Sequence, residues 1–207
     1  QAERFGAKVI MDAAVDFKKR NDHYEIKLKG GDRIQSKAVI IATGATAKWL
    51  GLPAEQTYKG RGVHTCATCD AFFYKDKEVM VVGGGDSAME EAKTISKFAS
   101  KVIVVHRRDS LRASKIMQDH FFKDPKASVI WDTVIEDIIG DGKTVTGVKL
   151  KNVKTGNVSQ LKIDGIFLAI GHVPNTGIFE GVLEMDEQGY LVADRFTRTN
   201  LPGVFAA

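Results

Sequence analysis

The chain is poor in cysteine, tryptophan and proline: two, two and four in 207 residues. Two cysteines cannot build a disulfide framework, so stability has to come from a packed core. A hydrophobic content of 43% can supply one. No apolar run approaches the roughly 20 residues a membrane-spanning helix needs. The first residues, Gln1-Ala-Glu-Arg-Phe5, have no Met and no signal-peptide pattern. The chain therefore reads as a fragment or a processed product, with a reducing cytoplasm as its compartment. Its 30 basic and 26 acidic residues are interspersed and leave a net charge of +4. No basic stripe suits nucleic acid, and neither nucleic acid nor membrane is expected as a partner.

Residues 1–45 read as short strands. Ala7–Met11 is a brief apolar run, His23–Leu28 alternates, and Lys37–Ala42 is continuously apolar, as in a fully buried strand. It ends at Thr43-Gly44, where the backbone needs glycine. Residues 46–65, broken by Pro53, Gly60 and Gly62, read as a connection. Strands then alternate with helices: Glu78–Val82, a helix from Ser87 to about Ala99, Lys101–Val105 and a short helix over 114–122. Val129–Trp131, Thr133–Ile139, Thr146–Lys151 and Val158–Ile163 read as antiparallel strands, and Asp164–Ile170 as a buried strand. The abrupt apolar end, Pro202–Ala207, reads as a strand cut short.

Gly83-Gly84-Gly85-Asp86-Ser87-Ala88 follows a strand and opens a helix. In that setting Gly83 permits a tight turn, Gly85 admits a pyrophosphate, and Ala88 lets helix and strand pack closely. The helix N-terminus adds free N–H groups. An NAD enzyme would carry an acid about 20 residues on, for the ribose hydroxyls. Here that place holds His106-Arg107-Arg108, with Arg112 one turn later. Guanidinium groups bind a 2′-phosphate bidentately, so NADPH is expected over NADH.

Cys66-Ala-Thr-Cys69-Asp70 has three readings. A zinc half-site needs two more ligands with close spacing; no third Cys exists and the five His form no matching pair, so no metal is expected. An inert buried pair is the second reading. A redox dithiol is the third: a helix start at Cys66 would bring N–H groups near the second sulfur and favour thiolate. Asp70 then donates or accepts the proton during exchange, or is simply an acid in a first helical turn.

Taken in order, Cys66-Ala-Thr-Cys69-Asp70, Gly-Gly-Gly-Asp-Ser-Ala, His-Arg-Arg-x-x-x-Arg and Ile170-Gly171-His-x-Pro-Asn175 resemble the bacterial-type, low-molecular-weight thioredoxin reductases. The resemblance implies an α/β fold, with a Rossmann-like three-layer NADPH domain inserted in an incomplete FAD-binding domain. Residues 47–175 would form the first; 1–46 and 176–207 would be parts of the second. It implies FAD and NADPH as cofactors, thioredoxin as substrate and a homodimer. Cys69 would face the flavin, Cys66 would attack thioredoxin, and Asp70 would be the general acid. Thr43 and Gly44 would lie near FAD. Gly83, Gly84, Gly85, Asp86, Ser87, Ala88, His106, Arg107, Arg108, Arg112, Ile170 and Gly171 would serve the cofactors. Hinges would lie near Lys59–Val63 and Gly171–Thr176. A peroxiredoxin-reducing flavoprotein of the same family is the nearest alternative. A non-catalytic NADP-binding module is the alternative of a different class.

The sequence departs from the family at two points. Ala71 stands where Gly is usual, which is tolerable if the backbone there is helical and costly at positive φ. The chain also has no second G-x-G-x-x-G for FAD. These 207 residues alone are therefore predicted to bind FAD weakly or not at all. A visible spectrum of the chain mixed with FAD, before and after anaerobic NADPH, checks this: a bound flavin that bleaches would overturn it.

Overall fold

In the computed structural model, which describes all 207 residues, the chain forms two units: 1–46 with 173–207, and 47–172. The first opens with an antiparallel meander, β1 (Ala14–Lys19), β2 (Tyr24–Leu28) and β3 (Arg33–Ser36). Its inward residues Phe17 and Tyr24 stack at 5.5 Å between ring centroids. Ala7–Met11 forms no strand, and Met11 is exposed; the apolar run there has no partner to pair with. The next strand, β4, is only Val39–Ile41. The expectation of a fully buried strand fails here: Ile41 is buried, but Ile40 is 73% exposed. Gly44 has φ +62°, so the turn after β4 does require glycine. β5 (Ala45–Ala47) leads into the second unit.

That unit begins with a helix inside the stretch read as a connection. In α1 (Pro53–Tyr58), Pro53 occupies the first helical position, where its missing N–H costs nothing. The Glu55 carboxylate, almost fully buried, accepts the N–H groups of Leu50, Gly51 and Leu52 at 2.7–3.0 Å. Six residues are too few to show a helical period, and three glycines and a proline masked them. Lys59–Val63, expected to hold a hinge, lies inside this unit; the chain passes between units at 46/47 and 172/173.

A five-stranded parallel sheet is the middle layer. Its order is β6 (Val63–His64), then β13 (Gly165–Ala169), β7 (Glu78–Gly83), β8 (Lys101–Val105) and β9 (Ala127–Ile130). Val129–Trp131 therefore belongs to a parallel edge strand, not to the antiparallel set. Side chains alternate between faces. Val79, Val81, Val102, Val104 and Phe167 meet α3 (Asp86–Ser96) and α4 (Lys115–Phe122) through Ala88, Ala92, Ile95 and Phe121. Met80, Val82, Ile103, Val105, Ile166 and Leu168 meet an antiparallel meander, β10 (Thr133–Gly140), β11 (Val145–Asn152) and β12 (Val158–Lys162). This is the expected three-layer α/β arrangement. β14 (His172–Pro174) leads back to the first unit, where β15 (Val204–Ala206) pairs in parallel with β4. Phe179 then closes on Phe17 edge-on, and the Tyr24 hydroxyl donates to the Pro202 carbonyl at 2.6 Å.

Ile166 is fully buried between the parallel sheet and the meander. Ile166→Ala should lower stability by about 2–5 kcal/mol, through lost burial and the cavity left behind. Exposed Glu78→Gln, which loses only a 3.6 Å surface pair with Lys101, should cost about 0–1 kcal/mol. Denaturant melts of both variants check the contrast.

Candidate functional site

The end of β7 is shaped by close approach. Gly83 has φ +155°, and a Cβ there would strike the Ala169 carbonyl oxygen and come within 2.9 Å of the Ala88 Cβ. A Cβ on Gly84 would run into the His106 ring, whereas around Gly85 nothing lies within 4 Å. The turn is thus packed against protein at its first two glycines and open at the third. Gly85 is the N-cap of α3 and offers no side-chain cap, so the first helical N–H groups face that opening. Asp86 turns aside: its carboxylate accepts the Ser114 N–H (2.7 Å) and hydroxyl (3.0 Å). The N–H groups of Arg112 and Ala113 donate to the Gly84 carbonyl at 2.7 and 3.1 Å. Those bonds fasten the arginine loop to the glycine turn.

A cleft of about 390 Å³ runs past this turn. Gly83, Gly84, His106, Arg107, Arg112 and Ile170 line it. Arg107 and Arg112 are exposed, and so is Arg108, which stands outside the cleft wall. His106 is buried, with Nε2 lacking a partner. Burial, then the neighbouring Arg112 and Arg108 charges, push its pKa down, so the ring is neutral and contributes no charge. The open third glycine, the bare helix N-terminus, the two guanidinium groups and the orphaned imidazole nitrogen together fit a phosphorylated dinucleotide.

Cys66 and Cys69 are joined in a disulfide, with Cα atoms 5.4 Å apart. Cys66 caps α2 (Ala67–Asp70), so Cys69 sits in its first turn. Thr68 Oγ1 lies 3.3 Å from the Cys66 sulfur. Cys69 is exposed and Cys66 half-buried. Ala71 has φ −58° and ψ −30°, a helical backbone on which a methyl group costs nothing, and it is buried. The Asp70 carboxylate lies 2.7 Å from Nδ1 of His64, whose Nε2 lies 2.7 Å from the Tyr74 hydroxyl. Neither His64 nor Tyr74 belongs to a motif that the sequence displays. His64 and Asp70 are six apart, a spacing with no helical or strand meaning.

Thr43 and Gly44 line a separate cleft of about 340 Å³ in the first unit. Asn175 holds their turn: its Nδ2 donates to the Thr43 carbonyl at 3.0 Å and its N–H to the Gly44 carbonyl at 2.9 Å. The Asn175 Oδ1 accepts the Thr46 hydroxyl at 2.8 Å. This gives the last residue of the Gly171-His-x-Pro-Asn175 motif a structural task. The first unit contains 3-10 turns but no strand–glycine turn–helix.

The family model for pyridine nucleotide-disulphide oxidoreductases matches residues 2–207. The chain belongs to that family. It is 51% identical to a thioredoxin reductase of Streptomyces coelicolor, over all of this chain and 64% of that one. It is 49% identical to one from Rickettsia conorii, over all of this chain and 68% of that one. Among solved structures, Lactococcus lactis thioredoxin reductase superposes with a TM-score of 0.84 at 40% identity, covering 95% of this chain and 64% of that one. The chain thus spans about two thirds of the length of these relatives. The thioredoxin reductases of this oxidoreductase family use FAD and NADPH. No helix in the structure is long and apolar enough to cross a membrane.

In this oxidoreductase fold, α3 also carries a carboxyl with no partner. Burial pushes Glu91 up to about 7, and its Oε2 is buried without a hydrogen bond. Between the ordinary value of 4.5 and about 7, the unfolded chain loses this proton while the folded chain keeps it. Stability therefore falls as pH rises through that window, and this contribution is level above it. Glu91→Gln should raise the melting temperature by roughly 2–4 °C above pH 7 and leave it unchanged near pH 4. Thermal melts at the two pH values check the sign.

Proposed function

We propose that this chain is the nicotinamide-nucleotide and dithiol portion of an NADPH- and FAD-dependent thioredoxin reductase. The observation that carries the reading is the company the disulfide keeps. One unit, 47–172, holds the Cys66–Cys69 bond, the adjacent Asp70 and the glycine turn with its arginine-lined cleft. That unit serves as the NADPH-binding domain. Residues 1–46 and 173–207 serve as part of an FAD domain, with Thr43 and Gly44 at its wall. The relatives' shared name supports thioredoxin as the disulfide substrate. A second copy of the chain as partner and a cytoplasmic setting complete the proposal.

The cleft residues have distinct tasks. The Gly85 opening and the first N–H groups of α3 take the pyrophosphate. Arg107 and Arg112 would take the 2′-phosphate, with Arg108 next to Arg107 in sequence. His106, neutral, fills the space over Gly84 and presents Nε2 to the nucleotide. NADPH would supply two electrons as hydride, which by way of FAD and with one proton would convert the Cys66–Cys69 disulfide to two thiols.

Two exchanges then pass the electrons on. Cys66, as thiolate, attacks one sulfur of the thioredoxin disulfide; the S–S bond breaks and the leaving sulfur takes a proton from the Asp70 carboxyl. Cys69, as thiolate, attacks the Cys66 sulfur, re-forms the Cys66–Cys69 bond and expels the second thioredoxin thiolate. The four-residue loop makes that attack intramolecular and fast.

The test uses a chain extended at both ends to its relatives' length, assayed for NADPH-driven reduction of thioredoxin. Activity should be abolished by Cys69→Ser. Arg107→Ala should lower kcat/KM for NADPH about 10- to 100-fold, the loss of a charge-assisted phosphate contact, and leave NADH use unchanged. Equal losses with both nucleotides would sink the assignment of the arginine loop.

A further inference from the structure

His64 is buried, with a side-chain partner at each ring nitrogen. Its side chain is 7% exposed, against 32% for Asp70. The ring stacks on Phe167 with centroids 5.0 Å apart, and Tyr74 meets both rings edge-on at 5.4 Å. Nδ1 is 2.7 Å from Asp70 Oδ2 and Nε2 is 2.7 Å from the Tyr74 hydroxyl. For a neutral ring facing a carboxylate, one arrangement satisfies all three groups. The Tyr74 hydroxyl donates to Nε2, and Nδ1–H donates to Asp70. Tyr74 is buried as well. With His64 it lines a cleft of about 290 Å³ beside Arg61, Lys77, Thr144 and Asp164. Gly165 makes room for it: a Cβ there would collide with the Tyr74 ring.

We propose that Tyr74, His64 and Asp70 form a proton relay between this surface cleft and the Cys66–Cys69 pair. The inference rests on the reductase reading above and deepens it. Reduction by a hydride donor converts disulfide, hydride and one proton into two thiols, so each turnover takes a proton from water. The Asp70 carboxylate takes the proton of His64 Nδ1–H and passes it to a cysteine thiolate, while Nε2 takes the Tyr74 hydroxyl proton and water in the cleft replaces the last. The net transfer is one proton from water to sulfur, and it runs backward when a thiol is deprotonated.

Burial, then the Asp70 and Asp164 charges, push the Tyr74 phenol up to about 12. A resident phenolate is thereby excluded, and the hop through Tyr74 is concerted with those on either side. The charged and titratable groups facing the relay are Asp70 from α2, Lys77 and Asp164 beside Tyr74, and Arg61 from the turn before β6. His64 and Tyr74 touch no substrate. They are positioning residues that act through Asp70.

The test needs no cofactor. A small dithiol, dithiothreitol, reduces the Cys66–Cys69 disulfide of the 207-residue chain. Its two protons and two electrons pass to the cysteines, and alkylation after an acid quench counts the thiols. Rates are taken from about pH 6 to about pH 9 in light and heavy water, with Asp70→Asn expected to be about 100-fold slow. Tyr74→Phe, which removes one oxygen, should be about 10-fold slow, with the wild-type solvent isotope effect and pH profile replaced by those of Asp70→Asn. His64→Gln and Gly165→Ala should follow it. Where His64→Gln does not fold, Tyr74→Phe decides alone. A wild-type pH profile and isotope effect in Tyr74→Phe, with Asp70→Asn slow, would overturn the relay and leave the reductase reading standing. A wild-type rate in Asp70→Asn would overturn the relay and Asp70 as general acid together.

Discussion

The contact on which the site depends is the one between Gly83 and the end of β13. The last residue of β7 lies against the Ala169 carbonyl so closely that no side chain fits between them. That approach lets α3 start immediately, with Ala88 tucked against the same turn. It also fixes what lies above: Gly84 gives its carbonyl to the N–H groups of Arg112 and Ala113 and its bare face to the His106 ring. The arginine loop is therefore hung from the glycine turn rather than placed independently. A basic cluster one strand away in sequence becomes one wall of a cleft because a glycine carbonyl holds its backbone.

The same economy of space operates below the sheet at the dithiol. Gly165, at the start of β13, leaves a hole that the Tyr74 ring fills, and Phe167, two residues on, supplies the face on which His64 stacks. Both point to the helix side of the sheet, as the strand period requires. β13 thus serves two sites: its end shapes the nucleotide turn and its beginning shapes the surroundings of Asp70. Substitutions in this strand should be read for effects on both, because packed interiors transmit small shifts rather than absorb them.

The parts of this arrangement that were legible in the sequence are those with a local signature. A glycine turn between an apolar strand and an amphipathic helix, a C-x-x-C-D, and an arginine cluster at a fixed offset each carry their chemistry in adjacent residues. The three-layer fold followed from the alternation of strands and helices. What escaped was set by long-range packing. Helix α1 is a single cycle held by one buried carboxylate, Glu55, with three backbone donors, and no periodicity announces it. Its signals were Pro53 at the first position and Glu55 two residues on, visible only to capping arguments. β9 reads with the antiparallel strands that follow it because it is a short run directly before them in sequence. Its parallel pairing with β8 depends on the α4 crossover between them. Ile40 looked like core because its neighbours in sequence are apolar, yet β4 has a partner only in β15 and that face is bare.

His64 shows most clearly why a site outruns its motif. Nothing in Val63-His64-Thr65 marks a functional residue, and a single buried histidine is ordinarily a satisfied core group. Its meaning comes from three elements converging: β6 carries the ring, α2 brings the Asp70 carboxylate to one nitrogen, and the 3-10 turn Ala71–Tyr74 brings a hydroxyl to the other. A purely structural histidine would satisfy one nitrogen from the backbone and leave the carboxylate beside a reactive sulfur free to choose its own proton. Here both nitrogens are committed to side chains that titrate. The relay ties Asp70 to groups some distance from the disulfide, at a cleft that sets Arg61 and Lys77 against Asp164. That coupling, rather than the acid alone, is what the fold adds to the Cys-x-x-Cys-Asp motif.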